Sequence, residues 1–150
     1  MVEVILELEK GTPADLIIQD NIQIEGSFLD GRRIIVADDN DNNRLVASFI
    51  LQYYGAEIFE AENGQAVLDI LKDNHSDLIL MDIQMPVMNG YEATAKLRQS
   101  GNQIPIIALT ANAIKGENEK CLAAGMNDYI SKPFKEEDFL RTIARWLGKG

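Results

Sequence analysis

Thiol chemistry has almost no material in this chain, because Cys121 is the only cysteine among 150 residues. No internal disulfide can form, which fits a reducing cytoplasm, and the neighbours Leu122, Ala123 and Ala124 point to a buried helical position rather than a redox centre. Histidine is equally scarce. His75 stands alone in Lys72-Asp73-Asn74-His75-Ser76, at the C-terminal turn of a helical pattern. There the ring meets the negative end of the helix dipole, so a structural role is expected and phosphohistidine is not. Basic residues are few: 14 Lys and Arg stand against 24 Asp and Glu, for a net charge of −10. That deficit argues against nonspecific binding to nucleic acid and against contact with anionic lipid. No apolar stretch approaches the length of a membrane span, and Met1-Val2-Glu3 opens without the basic start of a signal peptide. A cytoplasmic setting is expected, even if a parent chain is anchored in a membrane.

What is present is 46% hydrophobic content, ample for one core plus some extra chain. Residues 1–31 read differently from the rest. Val2, Val4, Leu6 and Leu8 alternate with Glu3, Glu7 and Glu9 as in a half-buried strand, Gly11-Thr12-Pro13 breaks the pattern, and Asp30-Gly31 marks a turn. One or two strands cannot make a core alone. The segment is therefore expected to be the tail of a preceding domain plus a linker, or an edge addition to the main domain at 32–150. From Arg32 onward five strand–helix units follow. The pattern predicts strands near 33–37, 56–61, 77–81, 104–109 and 127–130, and helices near 41–54, 64–74, 90–99, 113–124 and 135–147. Right-handed crossovers then place helices on both faces of a parallel sheet, an α/β doubly wound fold.

Open parallel sheets gather their chemistry at the carboxyl ends of the strands. Four of the apolar runs end on residues able to handle a phosphoryl group: Asp38-Asp39, Asp82, Thr110 and Lys132. An aspartate at a strand exit can attack phosphorus, although alone it also fits a capped turn. Adjacent acids at a strand end repel unless a cation separates them, and Mg²⁺, which keeps several waters and takes one or two carboxylates plus phosphate oxygen, suits Asp38 and Asp39. Asn40 or Asp41 can cap the following helix without them. A hydroxyl at Thr110 and an ammonium at Lys132 can hold two phosphoryl oxygens. Lys132-Pro133 also offers a cis peptide.

With those residues in hand, the chain over about 32–147 resembles the receiver domain of two-component signalling. The resemblance rests on Ile34-Ile35-Val36-Ala37-Asp38-Asp39-Asn40, on Met81-Asp82-Ile83-Gln84-Met85-Pro86-Val87-Met88-Asn89-Gly90, on Ala108-Leu109-Thr110-Ala111-Asn112-Ala113, and on Ala124 through Phe134. Asn40, Asn43-Arg44, Gln84 and Thr110-Ala111-Asn112-Ala113 look most like receivers attached to hybrid sensor histidine kinases. The Val2–Leu8 pattern is similar to the last strand of the ATP-binding domain that often precedes such receivers. The resemblance implies a flavodoxin-like sheet of order 2-1-3-4-5 and a phosphoacceptor at Asp82. It further implies Mg²⁺ (or Mn²⁺) held by Asp39, Asp82 and the Gln84 carbonyl, with Asp38 acting through water. Thr110 and Lys132, with the backbone of Gln84 and Ala111, would contact the phosphoryl group, and Tyr129 would be the aromatic that reorients. Donors would be a histidine kinase or a histidine phosphotransfer protein. Asn89 departs from the Asp often found before Gly, but Asn serves that turn equally well.

Gln84 and Asn112, two residues past Asp82 and Thr110, are expected to overhang the phosphoryl group and govern its lifetime. On the 41–54 helix, Val46, Ile50 and Tyr54 form one stripe suited to the core. Leu45, Phe49 and Tyr53 form a second, expected to face solvent in part and to dock a histidine-bearing helix. Two other readings stay open: a standalone regulator acting by protein binding, and a flavin protein on the same architecture. The flavin reading would need Gly, Ser or Thr donors where Asp38-Asp39 stand. A haloacid-dehalogenase-like phosphatase would need a second acid where Gln84 stands.

Overall fold

The computed structural model describes residues 28–111, 117–133 and 135–147. Five strands and five helices alternate: β1 (Arg33–Ala37), α1 (Asp41–Tyr53), β2 (Glu57–Ala61), α2 (Gly64–Asp73), β3 (Leu78–Asp82), α3 (Gly90–Gln99), β4 (Ile106–Thr110), α4 (Glu117–Ala123), β5 (Asp128–Ser131) and α5 (Glu136–Leu147). The sheet is parallel throughout, in the order β2-β1-β3-β4-β5. The order reverses after β1. Its first crossover leads outward to β2 and the next returns to β3, which opens a crevice beyond the ends of β1 and β3.

The three central strands are apolar except at Arg33, Asp82 and Thr110 at their ends, because helices cover both of their faces. On one face Ile35, Ile79, Met81, Ile106 and Ala108 pack with Val67 of α2, Ala93 and Leu97 of α3 and Cys121 of α4. On the other, Ile34, Val36, Leu78, Leu80 and Leu109 meet Ala47 and Leu51 of α1 and Phe139, Leu140 and Ile143 of α5. Each fully buried aliphatic side chain contributes roughly 1.5–3 kcal/mol. That seating is what holds the strand ends in register.

Some details differ from the sequence reading. Leu29 is fully buried in the second cluster, and the Phe28 ring meets Tyr54 edge-on at 5.5 Å. The packed unit thus reaches back to Phe28, past the boundary expected at Arg32. Val46 is 49% exposed. The buried arc of α1 runs through Ala47, Ser48 and Leu51, whose small members let the helix lie close to the sheet and turn Val46 outward. β4 begins at Ile106 rather than at 104, since Pro105 has no N–H for the ladder and Ile104 N donates to the Asn102 side chain. His75 lies beyond the end of α2 and pairs with the Asp77 carboxylate at 3.0 Å, not with the helix dipole. The expected strand at 2–8, the break at 11–13, Asn112 and the start expected for the fourth helix lie outside the described residues.

At the amino edge of the sheet, Arg32 Nη2 donates to the Leu147 carbonyl at 3.1 Å. The first and last parts of the packed unit therefore meet at the edge opposite the strand exits.

Candidate functional site

β1 hands the chain to Asp38, which is almost wholly buried, and to Asp39, which is exposed. Four polar atoms of Asp38 are engaged. Its N–H donates to the Ala61 carbonyl (3.0 Å), Oδ1 accepts from Asn40 N (2.9 Å), Oδ2 accepts from Lys132 Nζ (2.7 Å), and its carbonyl accepts from Arg44 Nη1 (2.6 Å). Asn40 caps α1 by accepting from Asn43 N at 3.0 Å. Neither acid serves as the helix cap.

β3 runs one residue further than the sequence pattern indicated and ends on Asp82 itself, while β4 ends on Thr110. α3 starts hard against the back of Asp82. Asn89 caps it in a reciprocal pair with Glu92, and Gly90 N donates to the Ile83 carbonyl at 2.9 Å. A Cβ on Gly90 would overlap the Asp82 carbonyl oxygen, so only glycine permits this approach. Between them Val87 adopts φ +69°, a left-handed conformation that is strained for a β-branched residue.

Lys132 N donates to the Thr110 carbonyl at 2.7 Å, tying the exit of β5 to that of β4. The Lys132–Pro133 peptide is cis. The ammonium sits 2.7 Å from Asp38 Oδ2 and 3.4 Å from Asp82 Oδ1. Asp39, Asp82, Gln84, Thr110, Ala111 and Lys132 all line one open cleft of about 1060 Å³. Tyr129 is half-buried on β5 and packs against the Met81–Ala108 face of the sheet. Leu45 and Phe49 are exposed on α1. Of the site residues expected from sequence, Asn112 alone lies outside the described ones.

Burial pushes the Asp82 carboxyl up to about 6 and the charge of Asp38 adds to it, while Lys132 pulls the other way. One oxygen from each of Asp38, Asp39 and Asp82 lies within 4.8 Å of the others. This donor set is all oxygen and carries more negative charge than one ammonium balances. It fits a hard divalent cation that keeps part of its water shell. It does not fit a flavin phosphate, which would meet carboxylates where it needs donors.

Sequence reasoning gives Arg44 no task at the site and overlooks Tyr91 and Lys120, which also line the cleft. Only tertiary packing brings them there, and no spacing in the chain announces it.

The model of the response regulator receiver domain matches residues 34–144. Histidine kinase 3 of Arabidopsis thaliana is 37% identical over 161 residues, which takes in 92% of this chain and 15% of that protein. The receiver domain of sensor histidine kinase PA1611 from Pseudomonas aeruginosa, solved with magnesium coordinated in its active-site cleft, is 41% identical. It superposes with a TM-score of 0.73 over 79% of this chain and 98% of that one. The Saccharomyces cerevisiae Ssk1 receiver domain, solved with the phosphotransfer protein Ypd1, is 29% identical, with a TM-score of 0.74 over 79% of this chain and 90% of that one.

Proposed function

Because the chain belongs to the response regulator receiver domain family, we propose that it accepts a phosphoryl group from phosphohistidine onto Asp82, in a Mg²⁺-dependent phosphorelay within a hybrid sensor histidine kinase. The observation that carries this is the placement of Asp82. It is a buried carboxylate at the exit of a central strand, 3.4 Å from the Lys132 ammonium and grouped with two further acids. Donors would be a histidine kinase or a histidine phosphotransfer protein, and the setting cytoplasmic.

In the transfer an Asp82 oxygen forms a bond to phosphorus as the donor's P–N bond breaks, with the electron pair returning to the ring nitrogen. Asp38, Asp39, Asp82 and the Gln84 carbonyl would hold Mg²⁺, which supplies the charge neutralisation that lets an anionic phosphoryl group approach three acids. Lys132 leaves its contact with Asp38 to hold one phosphoryl oxygen, and the Thr110 hydroxyl and Ala111 N–H take others. Incubation with acetyl phosphate tests the reading. Labelling of Asp82 is expected with Mg²⁺ and none in EDTA; equal labelling in both, read by intact mass, would overturn it.

Thr110 and Tyr129 form the switch in this reading. Thr110 shares a face of the sheet with Ala108, the register partner of Tyr129, so movement of the hydroxyl toward phosphate frees volume on the side where the ring packs. Thr110→Ala should still accept phosphate, while hydrogen exchange around Tyr129 stops responding to it. A wild-type response in the variant would separate the two residues.

Gln84 is exposed on the lip of the cleft, where its side chain would govern the approach of water to the acyl phosphate; Asn112 is proposed as its counterpart. Substituting Gln84 should change the dephosphorylation rate by severalfold or more. An unchanged rate would leave it a loop residue.

A further inference from the structure

Arg44 makes a set of contacts that helix formation does not require. Its side chain is only 12% exposed. Nη1 donates to the Asp38 carbonyl at 2.6 Å, Nε to Glu60 Oε1 of β2 at 3.2 Å, and Nη2 to the Asp41 carboxylate. The other Glu60 oxygen accepts from the buried Ser48 hydroxyl at 3.3 Å. Ion pairs with Asp41 and Glu60 would satisfy the guanidinium at the surface of α1. Its third arm instead reaches under the β1–α1 turn to the peptide that joins Asp38 to Asp39.

That peptide is the hinge of the acidic pair. A peptide unit is planar, so fixing the Asp38 carbonyl fixes the plane from which the Asp39 Cα departs. Asp38 is held by several neighbours, whereas Asp39 is exposed and inherits its direction from this peptide. The planar fork of arginine can serve the β1–α1 turn, β2 and α1 at once, which a single ammonium cannot.

We propose that Arg44 is a positioning residue for the cation-binding carboxylates, holding Asp38 and Asp39 in the geometry that takes a divalent cation. The proposal rests on the reading that Asp38, Asp39 and Asp82 hold Mg²⁺.

Two roles for Arg44 predict opposite signs. As a mere positive charge near the acids it would repel Mg²⁺, and its removal would tighten binding. As a positioning residue its removal loosens binding, by about 10-fold or more on the scale of groups that orient metal ligands. The experiment is calorimetric titration of Mg²⁺ into wild-type protein, Arg44→Met and Arg44→Lys, with thermal melts in EDTA to establish that each variant is folded. Lysine keeps the charge and loses the fork, so it carries the test if the methionine variant does not fold. Both variants are expected to raise the Mg²⁺ dissociation constant. The Mg²⁺ concentration that half-saturates acetyl-phosphate labelling should rise with it, while the rate at saturating Mg²⁺ is largely retained. Unchanged or tighter Mg²⁺ binding in either folded variant overturns the proposal and leaves Arg44 a structural residue. Wild-type protein that binds no Mg²⁺ overturns the underlying reading as well.

Discussion

Asp82→Asn should take up no phosphoryl group from acetyl phosphate or from a phosphohistidine protein, and should melt at a higher temperature than wild type when Mg²⁺ is absent. The amide has no carboxylate oxygen with which to attack phosphorus, so the first effect is all or none and is read by intact mass. The second follows from the raised carboxyl of Asp82, which titrates at about 6 against an ordinary 3.8. A carboxyl whose folded value lies above its unfolded value favours folding below the unfolded value, and that contribution is lost as pH rises through the folded one. Because Asp82 stays partly open to solvent, screening reduces this contribution below what the two values imply; it is absent at neutral pH and present near pH 4. Removing the charge should therefore raise the melting temperature by roughly 5 °C at pH 7.5. The gap between variant and wild type should close as pH falls below about 4. Lys132 keeps its 2.7 Å contact with Asp38, so the variant leaves no ammonium stranded. A labelled variant would move the acceptor elsewhere, and equal melting at pH 7.5 would mean that the acids are already neutralised in the metal-free protein.

Leu45→Glu should slow transfer from a phosphohistidine protein by about 10- to 100-fold, the range expected when a charge enters the centre of an apolar interface. Acetyl-phosphate labelling should stay at the wild-type rate. Leu45, Phe49 and Tyr53 follow one another at four-residue spacing and are 63%, 71% and 73% exposed. An apolar stripe this open, beside the edge that carries Asp38 and Asp39, suits a helix laid against α1. The small donor needs no docking surface, so the ratio of the two rates isolates the stripe from the chemistry. Equal loss in both reactions would place Leu45 in the folding of α1 and the docking face elsewhere.

The acids, the hydroxyl and the lysine are legible in the sequence because each terminates a short apolar run, and a parallel sheet brings all such termini to one edge. Strand order has to come from resemblance, since periodicity gives elements and not neighbours. The failures share a cause. Spacing with Ile50 and Tyr54 points Val46 to the core, but the inward arc is set by which side chains are small enough to approach the sheet, namely Ala47 and Ser48. Local pattern refers His75 to its own helix, because nothing in it shows Asp77 turning back to accept from both the His75 ring and Arg33 N. Arg44 is legible only as part of a family pattern. Its acceptors come from the β1–α1 turn, β2 and α1, and no local sequence feature joins them.

The contact between Arg32 and the Leu147 carbonyl bears on how such a unit serves in a longer chain. Arg32 and Leu147 both lie at the edge remote from the acids, so in the hybrid-kinase reading proposed above, domains joined there would not need to cross the cleft. In that reading a tether at this edge would act as a leash, letting the domain swing its reactive end toward a donor on the same polypeptide. For a short flexible leash the donor's effective concentration is in the millimolar range. Transfer within one chain would then need only a docking contact too weak to hold free partners together, and the same stripe would remain open to a separate phosphotransfer protein.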